Sequence, residues 1–206
     1  MATVFRNKLN VKHVKTGSYK SFESIVCKVF LSNATVLIVN VYRPEYSMKN
    51  KFTVKYFLEE FSLFLELVGS YLFPVIIVGD FNFHVELVTV TDDALSPCKL
   101  IKKKDATAFY ETCQRYNFTQ IISEPTQDLG GTLDRLLASP CALDLLMNSS
   151  VGLKNEICTS DHFAVNFSLH LKPKYVDSKH TYVAHNWRNL DIYILFSVKL
   201  IPLDFT

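Results

Sequence analysis

The sequence predicts an α/β (α+β) domain of several strands and few helices, and three stretches carry that prediction. Phe73-Pro74-Val75-Ile76-Ile77-Val78 is a continuous apolar run rich in β-branched residues, the pattern of a strand buried on both faces. Phe57, Phe61, Phe64, Leu65 and Val68 follow one another at spacings of four, three, one and three, the stripe of an amphipathic helix. From Ser21 to Leu31 the chain alternates roughly, with Ile25, Cys27 and Val29 sharing one face of a strand. A length of 206 residues suits one domain with a sizeable core. Apolar residues at 49% against 20% charged are a globular balance and exclude a disordered chain.

In chain order, Thr3-Val4-Phe5 reads as a short first strand. Ser21–Leu31 and Ala34–Tyr42 read as a hairpin around Ser32-Asn33, and Pro44 ends the second strand. The helix over Phe52–Val68 leads into the Phe73–Val78 strand. A second helix is expected over Asp105–Tyr116, with Ala106, Phe109 and Cys113 on its inner face. Leu129-Gly130-Gly131 breaks the chain before a strand over Thr132–Leu137. Ala142–Met147 reads as a short apolar element, and Phe163–Leu169 alternates as a strand. After Leu171 the character turns polar, with room for one short helix between Trp187 and Leu200. The chain divides accordingly into a domain over 1–171 and a connector or tail over 172–206.

The formal net charge of +2 neither demands nor excludes a polyanionic partner. Five cysteines, an odd number with no Cys-x-x-Cys spacing, argue against a disulfide framework or a zinc site and fit core packing or incidental thiols. The N-terminal residues lack an apolar signal core, and the longest uncharged run, Leu67–Gly79, is too short to span a membrane. A soluble intracellular protein is expected, the nucleus included among its locations.

The chemistry concentrates where the buried strand stops, at Gly79-Asp80-Phe81-Asn82. Residues two apart on an extended chain point to the same side, so Asp80 and Asn82 offer a carboxylate and an amide together. A carboxylate at the mouth of an apolar strand is costly unless it is hydrogen-bonded, paired or used. The same residues also suit a simple turn. Three further polar sites lie at strand ends: Tyr42-Arg43, Thr132 to Asp134, and Ser160-Asp161-His162. Carboxylates, an amide, a phenol, an imidazole and a guanidinium together make the inventory for attack on a phosphodiester. Lys102-Lys103-Lys104 reads as a solvated helix start that could also touch a nucleic-acid backbone, and Glu86 as solvated.

In this order, Val41-Tyr42-Arg43-Pro44, Gly79-Asp80-Phe81-Asn82-Phe83-His84, Pro125-Thr126 with Gly131-Thr132-Leu133-Asp134, and Ser160-Asp161-His162 resemble the endonuclease/exonuclease/phosphatase superfamily. They look most like the apurinic-type endonuclease domain of non-LTR (LINE-like) retrotransposons. The resemblance runs from about Thr3 to Leu171, and the segment from Lys172 is similar to the connector that leads to a reverse transcriptase. It implies a four-layer, two-sheet sandwich flanked by helices, with metal-assisted hydrolysis of phosphodiesters at one end. Mg²⁺ or Mn²⁺ is the implied cofactor and DNA the implied partner, with neither a membrane nor a small-molecule cofactor.

Residue by residue, the resemblance implies that Asp80 orients or activates the attacking water and that Asn82 holds this carboxylate or the transition-state oxygens. Tyr42 is expected on phosphate, Asp161 at the metal and His162 on the scissile phosphate. Asp134 is expected within hydrogen-bond reach of His162, fixing its orientation and protonation. Arg43, Thr132 and His84 are expected against the nucleic acid, His84 being equally suited to capping a loop. Complete members of the superfamily begin with a strand carrying an Asn and another carrying a metal-binding Glu. Met1–Lys20 holds neither in a comparable apolar strand, so the resemblance implies a domain truncated at its N-terminus. Two readings follow: a DNA endonuclease-like domain, or a catalytically impaired remnant that at most binds nucleic acid or protein.

Overall fold

The computed structural model describes residues 1–6, 9–31, 34–45, 51–83, 85–88, 99–102, 104–152, 160–170, 183–184 and 197–200. Strands β1 (Ala2–Thr3), β2 (Asn10–Val14), β3 (Glu23–Phe30) and β4 (Thr35–Tyr42) precede helix α1 (Val54–Gly69), which leads into β5 (Val75–Asp80). The antiparallel pair β6 (Val85–Val88) and β7 (Lys99–Lys102) comes before α2 (Lys104–Arg115). Then follow β8 (Thr119–Gln120), β9 (Asp134–Ala138), α3 (Pro140–Leu143), β10 (Leu146–Val151), β11 (Val165–Leu169), β12 (Val183–Ala184) and β13 (Ser197–Leu200).

The main sheet has the order β2-β3-β4-β5-β9-β8. Only β4 and β5 run parallel in it, joined by the α1 crossover; its other neighbours are antiparallel. At its centre every residue of β5 is buried. On one face Val75 and Ile77 join Leu37, Val39, Val41 and Leu137 against the aromatic residues of α1 and α2. On the other, Ile76 and Val78 join Leu136 and Ala138 against Val165, Phe167 and Leu169 of β11. A second sheet, β10-β11-β13, carries that strand. The unbroken apolar run of β5 thus reflects a strand that meets core on both sides.

Helix α1 forms because its apolar stripe has a core to meet: Phe57, Phe61, Phe64, Leu65 and Val68 are all buried. Thr53 caps its start, its side chain accepting from the Tyr56 backbone N–H at 3.2 Å. The rings interlock, with Phe57 and Phe61 stacked at 5.1 Å and Phe81 tilted on Phe109 at 4.9 Å. In α2 the expected inner face, Ala106, Phe109 and Cys113, is buried. Cys27 and Cys113 are buried free thiols and Cys141 is an exposed one. Among the described residues no helix is long and apolar enough to cross a membrane.

Several boundaries differ from the sequence reading. The first strand is Ala2–Thr3, and it pairs with β12 rather than running on to Phe5. Strand β2 was not foreseen: as the edge of the sheet it keeps Lys12 and His13 exposed and shows no clear apolar alternation. The apolar element expected over 142–147 splits into α3, which opens with Pro140, and β10. The strand expected from Thr132 begins at Asp134. Residues 197–200, at the end of the stretch with room for one short helix, are strand β13, paired in parallel with β11, and 187–196 lie outside the described residues. The hairpin tip at Ser32-Asn33 lies outside the described residues.

Candidate active site

The site forms where the central strands end together. Asp80, last in β5, stands in register with Tyr42, last in β4, and with Asp134, first in β9. Strand alternation puts Asp80 on the Ile76–Val78 face and Asp134 on the Leu136–Ala138 face, both toward β11. Gly79 lets β5 lie close against β4 at this end. Its φ is 155°, and a Cβ there would lie 1.8 Å from the Val41 carbonyl oxygen.

Asp80 and Asp134 are each 1% exposed. The Asp80 carboxylate is held by the next turn: the Asn82 backbone N–H donates to Oδ1 at 2.9 Å and the Asn82 amide to Oδ2 at 3.1 Å. Asn82 does this from a left-handed conformation, φ 50°. Asp134 is fixed from behind by Thr126, whose buried hydroxyl accepts from the backbone N–H groups of Leu133 and Asp134 at 2.9 and 3.0 Å.

His162 reaches the site from the loop before β11. Its Nδ1 lies 2.9 Å from Asp134 Oδ2, and its backbone N–H donates to Ser160 Oγ at 3.1 Å. The segment that holds Asp134 holds this loop too. Gln127 forms a bridge with His162, the Asp128 N–H donates to the Asp161 carbonyl at 2.9 Å, and the Phe163 N–H to the Thr126 carbonyl at 2.8 Å.

Two buried carboxylates opposite one another cannot both ionise freely. Burial, then the charge of Asp134, raises the Asp80 pKa to about 7, against the opposing pull of His162 and the Asn82 hydrogen bonds. The hydrogen bond to Asp134 raises His162 to about 9, outweighing burial, with the charges of Asp134, Asp80 and Asp161 adding to it. The imidazole is therefore a cation at neutral pH and Nδ1–H donates to Asp134. The half-buried Tyr42 phenol is raised too, by burial first and then by Asp80, Glu23 and Glu45. Asp134 Oδ1 is buried with no hydrogen-bond partner among the described residues.

Asp80, Asn82, Asp134 and His162 thus come together, with Tyr42 beside Asp80. Asp161 is exposed, and its Oδ2 accepts from the Gln127 amide at 3.1 Å. Two expectations are corrected. Arg43 is 5% exposed and donates to the carbonyls of Phe81 and Asn82, so it cannot meet a nucleic acid without leaving the core. Thr132 is 1% exposed and donates to the Glu124 carbonyl, a loop staple rather than a surface contact. His84 lies outside the described residues. Gln127 went unread in the sequence, where only a tertiary contact distinguishes it from a loop residue; Gly79 and Thr126 stood within quoted motifs without a role of their own.

The carboxylates suit a hard cation by type. Among the described residues, however, no three His, Cys, Asp or Glu side chains converge as a ligand set.

No protein-family model and no curated protein match this sequence. Solved structures do. The endonuclease domain of TRAS1, a telomere-specific non-LTR retrotransposon, is 14% identical, with a TM-score of 0.54 over 78% of this chain and 68% of that one. The AP endonuclease LMAP from Leishmania major is 17% identical, with a TM-score of 0.46 over 67% of this chain. An AP endonuclease from Archaeoglobus fulgidus is 17% identical, with a TM-score of 0.48 over the same share. The chain spans 52% and 62% of those two proteins. At such identities the likeness is one of fold, and it rests on the TRAS1 domain: this chain has the α/β fold of the endonuclease/exonuclease/phosphatase proteins.

Proposed function

We propose that this chain is a phosphodiester-hydrolysing, DNA endonuclease-like domain of retrotransposon origin. One observation carries the reading: a buried carboxylate with a pKa near neutrality lies beside an imidazolium fixed by a second buried carboxylate. A base poised near 7 is half-ionised at working pH and can take a proton from water. Asp80 is that base, and Asn82 keeps its oxygens aimed. With Nδ1–H bound to Asp134, His162 presents Nε2–H to a phosphate oxygen, where a fixed cation stabilises charge that grows in the transition state. Tyr42 gives a further hydrogen bond to the phosphate. The fold shared with the TRAS1 endonuclease domain supports DNA as the substrate.

Metal dependence enters the proposal through the resemblance, with Asp161 as a ligand; Mg²⁺ usually takes only one or two protein carboxylates and fills the rest of its shell with water and phosphate. The remaining parts of the reading are a domain over 1–171 and a connector from Lys172, whose strands β12 and β13 nonetheless pair with β1 and β11 of that domain.

The test is nicking of supercoiled plasmid with Mg²⁺, Mn²⁺ or EDTA, by the wild type, Asp80→Ala and His162→Ala. The proposal expects metal-dependent nicking that both substitutions abolish. DNA binding without nicking under any metal would replace it with the non-catalytic binding module.

A further inference from the structure

Arg43 does more than fill a gap in the core. Its guanidinium lies among aromatic rings, with Cζ 4.3 Å from the centroid of Phe83 and 5.2 Å from that of Phe57. From there Nη1 donates to the Phe81 carbonyl at 2.9 Å and to the Asn82 carbonyl at 3.3 Å. The backbone of the same residue grips the same turn. Its N–H donates to the Asp80 carbonyl at 2.9 Å, and its carbonyl accepts from the Asn82 amide at 2.7 Å. One residue thus holds each of the three residues Asp80, Phe81 and Asn82.

The turn needs holding. A left-handed conformation such as that of Asn82 costs a non-glycine residue about 1 kcal/mol or more and persists where its surroundings enforce it. The reward is local. In that conformation the Asn82 amide divides its two hydrogens between Asp80 and the Arg43 carbonyl, while the Asn82 N–H takes the other carboxylate oxygen.

We propose that Arg43 is a positioning residue of the candidate site: its buried guanidinium, by holding the Phe81 and Asn82 carbonyls, fixes the left-handed turn that keeps the Asn82 amide on the Asp80 carboxylate. The catalytic meaning rests on the proposed hydrolase reading; the positioning does not. Without the guanidinium two carbonyls lose their donor and the turn relaxes. The Asn82 bonds favour ionised Asp80, so their loss leaves that carboxylate to burial and to the groups whose charge reaches it: Tyr42 from β4, the Arg43 cation that Arg43→Lys retains, Asp134 and Arg135 from β9, and His162 from the loop before β11.

The experiment follows the Asp80 carboxyl carbon by NMR against pH in the wild type, Arg43→Met, Asn82→Ala and the double variant, with Arg43→Lys as the milder change should Arg43→Met fail to fold. Arg43→Met should move the Asp80 midpoint upward by about one unit, the scale of one hydrogen bond. The double variant should move it no further than Asn82→Ala alone, because both act through one amide. In plasmid nicking, kcat should fall with KM unchanged. An Asp80 midpoint unmoved by Arg43→Met or Arg43→Lys, or additive shifts in the double variant, would overturn the proposal. So would a fall of about one in the salt slope of DNA binding, the mark of a lost phosphate contact. Absence of nicking from every variant, with the Asp80 shifts in place, would sink the hydrolase reading and leave the role of Arg43 standing.

Discussion

Asp80 and Asp134 are register partners at the matching ends of β5 and β9, both essentially buried, and only Asp134 has the His162 imidazolium at hydrogen-bond distance. That asymmetry divides their roles. Asp134 is neutralised by a cation at 2.9 Å, whereas Asp80 is held by neutral donors from Asn82 and faces the charge of Asp134.

The first prediction concerns the stability that this arrangement sacrifices. The folded pKa of Asp80, about 7, is above its ordinary value of 3.8. Its contribution to stability is therefore fully present below pH 3.8 and is lost as pH rises through about 7. Asp80→Asn cannot ionise, though it places one amide hydrogen against the donors of Asn82. The melting temperature of Asp80→Asn relative to wild type should therefore climb between pH 4 and 8, read by thermal melts across that range. A difference that stays constant with pH would show that Asp80 ionises without cost.

A second prediction follows from Gly79. Alanine there would set its Cβ 1.8 Å from the Val41 carbonyl oxygen and 2.7 Å from its carbon, both backbone atoms of the paired strand. Neither can swing aside as a side chain can. Gly79→Ala should cost about 4 kcal/mol or more, a large part of the stability of an ordinary domain. Urea unfolding measures it, and a variant within about 1 kcal/mol of wild type would mean that β4 and β5 separate easily at the ends that carry the candidate site.

The third prediction sets two neighbours on α1 against each other. Phe61 is 0% exposed and touches Phe57, Phe81 and Phe109, while Leu63 is 64% exposed. Phe61→Ala should cost about 3–5 kcal/mol and Leu63→Ala within about 0.5 kcal/mol. Equal losses in denaturant unfolding would contradict the orientation of the helix.

The same contrast explains what was legible in the sequence. The face of α1 and the burial of β5 are periodic, so spacing alone reveals them. Asp80, Asn82, Asp134 and His162 could be named because polar residues at the ends of apolar strands stand out, and the resemblance supplied their order. Arg43 and Thr132 were misplaced for the opposite reason. Arginine and threonine are mostly surface residues, and their burial depends on the Phe81, Asn82 and Glu124 carbonyls that the fold brings to them. Strand β2 escaped because Asn10-Val11-Lys12-His13-Val14, half-buried at most and exposed at Lys12 and His13, carries little apolar signal of its own. Thr126 escaped because a hydroxyl serving two backbone N–H groups seven and eight residues away leaves no trace in local spacing.

The last prediction concerns the pH dependence of the proposed hydrolase. Its working form has Asp80 ionised and His162 protonated. Asp80 loses its proton near pH 7 and His162 near pH 9, so nicking should rise through 7, peak near 8 and fall through 9. The His162–Asp134 pair also stabilises the fold. Because the folded pKa of His162 lies above its ordinary 6.5, that stabilisation is fully present below pH 6.5 and is lost as pH rises through about 9. Asp134→Asn removes the hydrogen bond that does most to raise His162 and the charge that helps to raise Asp80. Both midpoints should fall: His162 toward 6.5, and Asp80 toward its ordinary range. Around pH 8 the variant then holds Asp80 ionised and His162 neutral, without the cation that faces the phosphate. Nicking at that pH should drop by roughly 10²-fold or more, the usual contribution of a positioned acid or base. The optimum should also move to lower pH, a displacement that a merely weakened fold would not produce. NMR titration of the imidazole reads the same change without turnover. A His162 that still titrates near 9 in Asp134→Asn would show that the buried aspartate is not what holds the proton there.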